Sequence, residues 1–109
     1  MKYYKYLYVG PSIRFVDKIK AKLNSRAGLV GKYIIYLSHG NNQVEIINGA
    51  YLKLPYYSKH GLVIVGIAGD YNEALSLVMK MIEESLEKTG KPFIKEYLVL
   101  KAKTKDFSI

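Results

Sequence analysis

The side chains in this sequence that could do chemistry fall into three groups: two histidines, His39 and His60; a scatter of carboxylates; and eleven tyrosines set among lysines. General acid–base or nucleophilic catalysis needs a positioned pair, such as a histidine beside a carboxylate or a hydroxyl nucleophile beside a base. Neither histidine has a sequence partner that marks such a pair, and His39, His60 and Glu45 would act together only if the fold converged them. The chain has no cysteine, which excludes disulfides, thiolate catalysis and cysteine-ligated zinc or iron–sulfur sites. Two histidines alone make no dedicated transition-metal site. No metal or cofactor is implied, and the chain reads as a binding domain rather than an enzyme.

Two further features have plain structural explanations. Gly28-Leu29-Val30-Gly31-Lys32 is too short for a phosphate loop, lacks the following Ser or Thr, and leads from a helix into a strand instead of the reverse. Asp70 followed by Glu73 has the spacing of a helix cap, and Met79 and Met81 fit core packing.

The remaining constellation is aromatic and basic. Tyr4, Tyr6 and Tyr8 alternate along one face of an N-terminal segment, and Lys95, Tyr97 and Lys101 along one face of a C-terminal one. Rings on an open sheet face can stack bases while lysines meet phosphates. Seventeen Lys and Arg against nine Asp and Glu give a formal charge of +8, an excess that attracts polyanions. Only Arg14 and Arg26 among those cations can make planar bidentate contacts, so lysine-rich solubility explains the charge equally well.

These residues must be carried by elements, and the hydrophobic period shows which. Residues 3–9 alternate with period two and stop at Gly10-Pro11, a first strand. Ile13, Val16, Ile19 and Leu23 fall on one side of a helix capped by Ser12 and ended near Gly28. Lys32–Ser38 and Gln43–Asn48 flank Gly40-Asn41-Asn42 as an antiparallel hairpin. Residues 49–60, with Pro55, read as a connecting loop. Leu62–Ala68 is a continuous apolar run, the mark of a strand buried on both faces in mid-sheet, with Gly66 at a close backbone approach. Asp70 opens a second helix that Gly90 and Pro92 end. Phe93–Lys103 alternates as a last strand.

The order β-α-β-β-β-α-β predicts one α+β domain over residues 1–109, with a core of 2–103 and a short tail, 104–109. Its fold would be a ferredoxin-like plait: a mixed sheet with two helices on one face and the other face open. No stretch approaches the roughly 20 apolar residues of a membrane span, and a cytoplasmic location without membrane partners is expected.

Leu7-Tyr8-Val9-Gly10-Pro11-Ser12 resembles the first ribonucleoprotein motif of RNA recognition motif domains, and His60-Gly61-Leu62-Val63-Ile64-Val65 stands where the second motif would lie. The resemblance implies that Tyr8 stacks a base. Leu62 and Ile64 occupy the positions where that family carries central-strand rings, and no family is assigned on one hexapeptide. Two partners follow for the open face: RNA or single-stranded DNA on Tyr4, Tyr6, Tyr8, Lys95, Tyr97 and Lys101, or a second protein surface in a homodimer, with any small ligand at the seam.

Overall fold

The computed structural model describes residues 2–25 and 27–103, with residues 58–60 described by backbone alone. Four strands form one mixed sheet: β1 (Lys2–Val9), β2 (Tyr33–Leu37), β3 (Val44–Asn48) and β4 (Val63–Ala68). Their spatial order is β1-β4-β2-β3. β1 runs parallel to β4, whereas β2 is antiparallel to both β4 and β3. The helices are α1 (Val16–Asn24), α2 (Pro55–His60), α3 (Tyr71–Thr89) and α4 (Ile94–Lys103). A 3₁₀ turn, Gly49–Lys53, leads from β3 towards α2.

The hairpin forms as its turn residues require, in register from Tyr33 opposite Asn48 to Leu37 opposite Val44. β4 is central, and Ile64, Val65, Gly66, Ile67 and Ala68 are all buried, as a continuous apolar run demands. Gly66 is the close approach: a Cβ there would stand 2.8 Å from Ile35 Cδ1. α3 starts where Asp70 accepts the Glu73 N–H at 2.7 Å and stops at Gly90, whose left-handed backbone (φ 75°) suits a residue without Cβ.

Helices cover both faces of the sheet. Against one face, Ala74, Leu77 and Met81 of α3 and Ile94, Tyr97 and Leu98 of α4 pack on Tyr4, Tyr8, Ile35 and Val65. Against the other, Ile19 and Leu23 of α1 join Ile13, Leu29 and Leu52 on Ile34, Tyr36, Ile47, Ile64 and Ile67, with Tyr57 of α2 at the margin. The chain is therefore α+β with a four-stranded mixed sheet in three layers. This strand order and second helical layer differ from the expected ferredoxin-like plait.

Three local expectations are corrected. Phe93–Lys103 is not a strand: its residues fit both periods, and the helical one wins because it gathers Ile94, Tyr97 and Leu98 on one buried side. The 49–60 loop holds the 3₁₀ turn and α2. Ser12 does not cap α1; its N–H and hydroxyl are both taken by the Glu73 carboxylate, at 3.3 and 2.9 Å. Phe15 stands at the N-cap instead, in left-handed backbone (φ 57°) with no side-chain cap. The C-terminal tail, Arg26 and the His60 side chain lie outside the described residues.

Candidate functional site

Alternation on β1 turns Tyr4, Tyr6 and Tyr8 to one side, as read from the sequence. That side is not open. α4 and α3 lie over it, leaving Tyr4, Tyr8 and Tyr97 at 8%, 7% and 2% exposure, so these rings offer no stacking platform. Tyr6 is half-buried at the margin, edge-on to Tyr4 with ring centroids 6.0 Å apart.

The fold does bring five of the six expected residues together, around a residue the expectation omitted. Tyr8 donates its hydroxyl to Glu84 Oε1 at 2.6 Å, and Tyr97 donates to the same oxygen at 2.9 Å. Lys101 Nζ lies 3.5 Å from that oxygen and 3.4 Å from the Tyr8 hydroxyl. Tyr4 donates to the Leu98 carbonyl at 2.7 Å. β1, α3 and α4 are thus tied by one polar knot under an apolar roof. Lys95 is the exception: its Nζ donates to the Ser38 carbonyl at 2.7 Å and its N–H to the Asn42 carbonyl at 3.1 Å, docking the first turn of α4 on the β2–β3 turn.

Protonation states follow from this geometry. Burial raises the Glu84 carboxyl, but the Tyr8 and Tyr97 hydroxyls and Lys101 outweigh it, and its net shift is downward. Burial and the hydrogen bonds to Glu84 push both phenols well above the usual tyrosine value. At neutral pH the knot is two neutral phenols on a carboxylate with an ammonium beside it. Phenols held neutral are poor bases and nucleophiles, and the knot's contacts join β1, α3 and α4.

A second carboxylate works the same way at the other end of α3. β1 and β4 are parallel neighbours whose following helices go to opposite faces, the topology that in such sheets opens a crevice at the strands' carboxyl ends. Here Glu73 bridges the two strand ends, accepting from the Gly69 N–H at 2.8 Å as well as from Ser12. A Cβ at Gly10 would collide with this carboxylate. The Gly69 N–H is the first cause of the lowered Glu73 pKa.

Outside the knot, the β1 edge carries cations that its tyrosines position. Lys20 lies 5.0 Å from the Tyr3 ring centroid, and Lys5 lies 5.4 Å from that of Tyr6. Lys80 is 5.9 Å from the Tyr8 ring, and Lys101 stands 5.5, 5.2 and 5.9 Å from Tyr6, Tyr8 and Tyr97. Such contacts hold an ammonium near a ring for about 0.5–1 kcal/mol where exposed, while the stem lies on apolar surface. Lys101–Glu84 is the one ion pair among the described residues, so Lys2, Lys5, Lys20 and Lys80 have no carboxylate partner there. This belt was missed because its lysines come from four separate elements, β1, α1, α3 and α4. Glu84 had a signal: Leu77, Met81 and Glu84 recur at helical spacing, which puts Glu84 at the margin of the buried face.

The groups weighed for catalysis stay apart from this belt. Glu45 is exposed on β3, where it raises the Tyr36 phenol, already pushed up by burial, to about 12. His39 is exposed at the hairpin turn. Among the described residues no three of His, Asp and Glu are grouped as metal ligands, and no helix is long and apolar enough to cross a membrane. No protein-family model, curated protein or solved structure matches the chain.

Proposed function

We propose that this chain is a non-catalytic binding domain for nucleic acid, engaged through phosphates along the β1 edge and not through bases on a sheet face. The observation that carries this reading is the belt of ammonium groups on Tyr3, Tyr6 and Tyr8, of which only Lys101 is ion-paired among the described residues. Lysines are compact point charges without a planar fork, so they meet phosphates without reading sequence. The net charge of +8 adds long-range attraction. RNA and single-stranded DNA should bind alike, because none of the belt's own rings, Tyr3, Tyr6 and Tyr8, is exposed as a platform and the belt carries no 2′-hydroxyl reader.

The test is anisotropy of a labelled single strand of mixed sequence, titrated at several salt concentrations. If Lys2, Lys5, Lys20 and Lys80 each neutralise one phosphate, the log–log slope against salt is about −3. Lys5→Ala and Lys20→Ala should each flatten that slope by roughly 0.7. Tyrosine emission should change little, because the belt's rings do not stack and the exposed tyrosines lie outside it. Failure to bind at low salt refutes the reading, and quenched emission would mean that rings take part in binding, either exposed ones such as Tyr51 and Tyr71 or those that lifting of α4 would uncover.

A further inference from the structure

The opposite edge of the sheet has a different character. β3 is the last strand in the order and pairs with β2 in unbroken register. Ser38 donates to the Gln43 carbonyl and Gly49 to the Lys32 carbonyl, so in this antiparallel ladder residues 43, 45, 47 and 49 turn their polar backbone to β2. The N–H and C=O groups of Val44 and Ile46 and the N–H of Asn48 therefore point away from the sheet, and among the described residues no backbone group of another element meets them, whereas the Asn48 carbonyl, at the N-cap of the 3₁₀ turn, accepts that turn's first hydrogen bond. The strand holds one charge, Glu45, and no proline, glycine or bulge. Its face under α3 is also unfinished: Val44 and Ile46 are only half-buried. The flank of α3 turned away from β1 adds Leu75, Ile82, Leu86 and Met79, the last 57% exposed.

We propose that this edge pairs with β3 of a second copy of the chain, antiparallel about a twofold axis at Ile46, to make one continuous eight-stranded sheet. Three observations favour a second copy over another partner. An outward ladder at residues 44, 46 and 48 is self-complementary when Ile46 meets Ile46 and Val44 meets Asn48, because the Ile46 pair then exchanges both hydrogen bonds and each Asn48 N–H reaches a Val44 carbonyl. In that register Glu45 of one copy faces Ile47 of the other, whereas a shift that centres on Glu45 would set two carboxylates opposite each other. Finally, the excess positive charge does not oppose association. The lysine belt lies on β1, three strand spacings or about 14 Å from β3, which exceeds the screening length of about 8 Å at physiological salt.

The seam would bury the outer edge of β3 and bring the apolar flanks of both α3 helices to border the strip of β3 side chains between them. Both basic edges would stay at the far ends of the joined sheet. The proposal concerns a different surface from the nucleic-acid reading, and either can fail without the other.

Sedimentation equilibrium of the full chain from about 1 to 100 µM reads the association directly, a range suited to interfaces at the small end of the specific class. The expected result is a monomer–dimer equilibrium within it. Ile46→Pro removes an outward N–H and no β2–β3 bond, and it should weaken association by about a hundredfold. Amide hydrogen exchange of the unaltered chain supplies a reading that needs no variant: Val44, Ile46 and Asn48 should become protected as concentration rises. A chain that stays monomeric throughout overturns the proposal. So does a dimer in which those three amides exchange at a rate independent of concentration.

Discussion

The two edges of this sheet handle the same hazard in opposite ways. An edge strand exposes backbone groups that can pair with another chain, and proteins blunt it with lysines, bulges and cover. β1 has all three. Its pairing with β4 breaks register between Tyr3 and Tyr8, Lys2 and Lys5 project from it, and α4 is pinned over it by Tyr4, Tyr8 and Glu84. β3 has none of them: it is regular, carries one charge and lies beside a half-buried apolar strip. Equal strands in a sheet are thus made unequal by a bulge and a few side chains. One edge is left for ions in solution and the other for a strand.

The comparison breaks hardest where the cover of β1 is removed. Tyr97→Ala takes a ring that is 2% exposed out of the roof and its hydroxyl off Glu84. Its expected cost is about 3–5 kcal/mol, the range for deleting a buried aromatic side chain. Chemical denaturation measures the loss, and hydrogen exchange should show α4 opening before the hairpin.

On β3 the contrast is between neighbouring residues. Ile47→Pro removes an N–H directed at β2 and should cost about 3 kcal/mol or more, as proline does within a ladder. Ile46→Pro loses the outward N–H and part of a half-buried side chain but no β2–β3 bond, and should cost the monomer about 1–2 kcal/mol, less than Ile47→Pro. Urea midpoints at low concentration distinguish them, and equal costs would mean that the outward groups of β3 are already engaged.

Glu84→Gln tests the knot. The amide keeps the shape but loses the charge that Lys101 and two phenols share, for an expected cost of about 1–3 kcal/mol. The pH dependence has a defined sign. The folded pKa of Glu84 lies below the usual glutamate value of 4.5, so near that pH the folded chain binds fewer protons than the unfolded one. Stability from this group is complete above the unfolded value and is lost as pH falls from about 4.5 through the lower folded value. Glu73 titrates in the same direction. Thermal melts between pH 6 and about 3 should fall less steeply for Glu84→Gln, and steeper melting would place the charge in the wrong role.

Much of this arrangement was legible because it depends on local pattern. The β4 run, the Gly40-Asn41-Asn42 hairpin and the Asp70–Glu73 cap all carry signals within ten residues of one another. The same-side placement of Tyr4, Tyr6 and Tyr8 was legible too. What covers them was not, because residues 93–103 satisfy a period of two and a helical period together, and the choice is made by packing against α3 and β1. Reading that segment as a strand left one sheet face bare and turned a buried knot into an imagined platform. Lys95 was grouped with Lys101 by the same error, whereas a helix carries them to opposite ends of α4.

The smallest effect is the most specific to the edge comparison. Lys5→Thr removes an exposed cation from β1 and its contact with Tyr6, a contact of about 0.5–1 kcal/mol partly offset by the side-chain freedom regained. Monomer stability should move by no more than about 0.5 kcal/mol. Solution mass should not change either, because the broken register between Tyr3 and Tyr8 still denies a flat ladder to an incoming strand. If Lys5→Thr alone made the chain self-associate, charge and not backbone shape would be what guards β1. If mass is unchanged while salt-dependent binding of a single strand weakens, the backbone guards this edge and its lysines are left to meet phosphate.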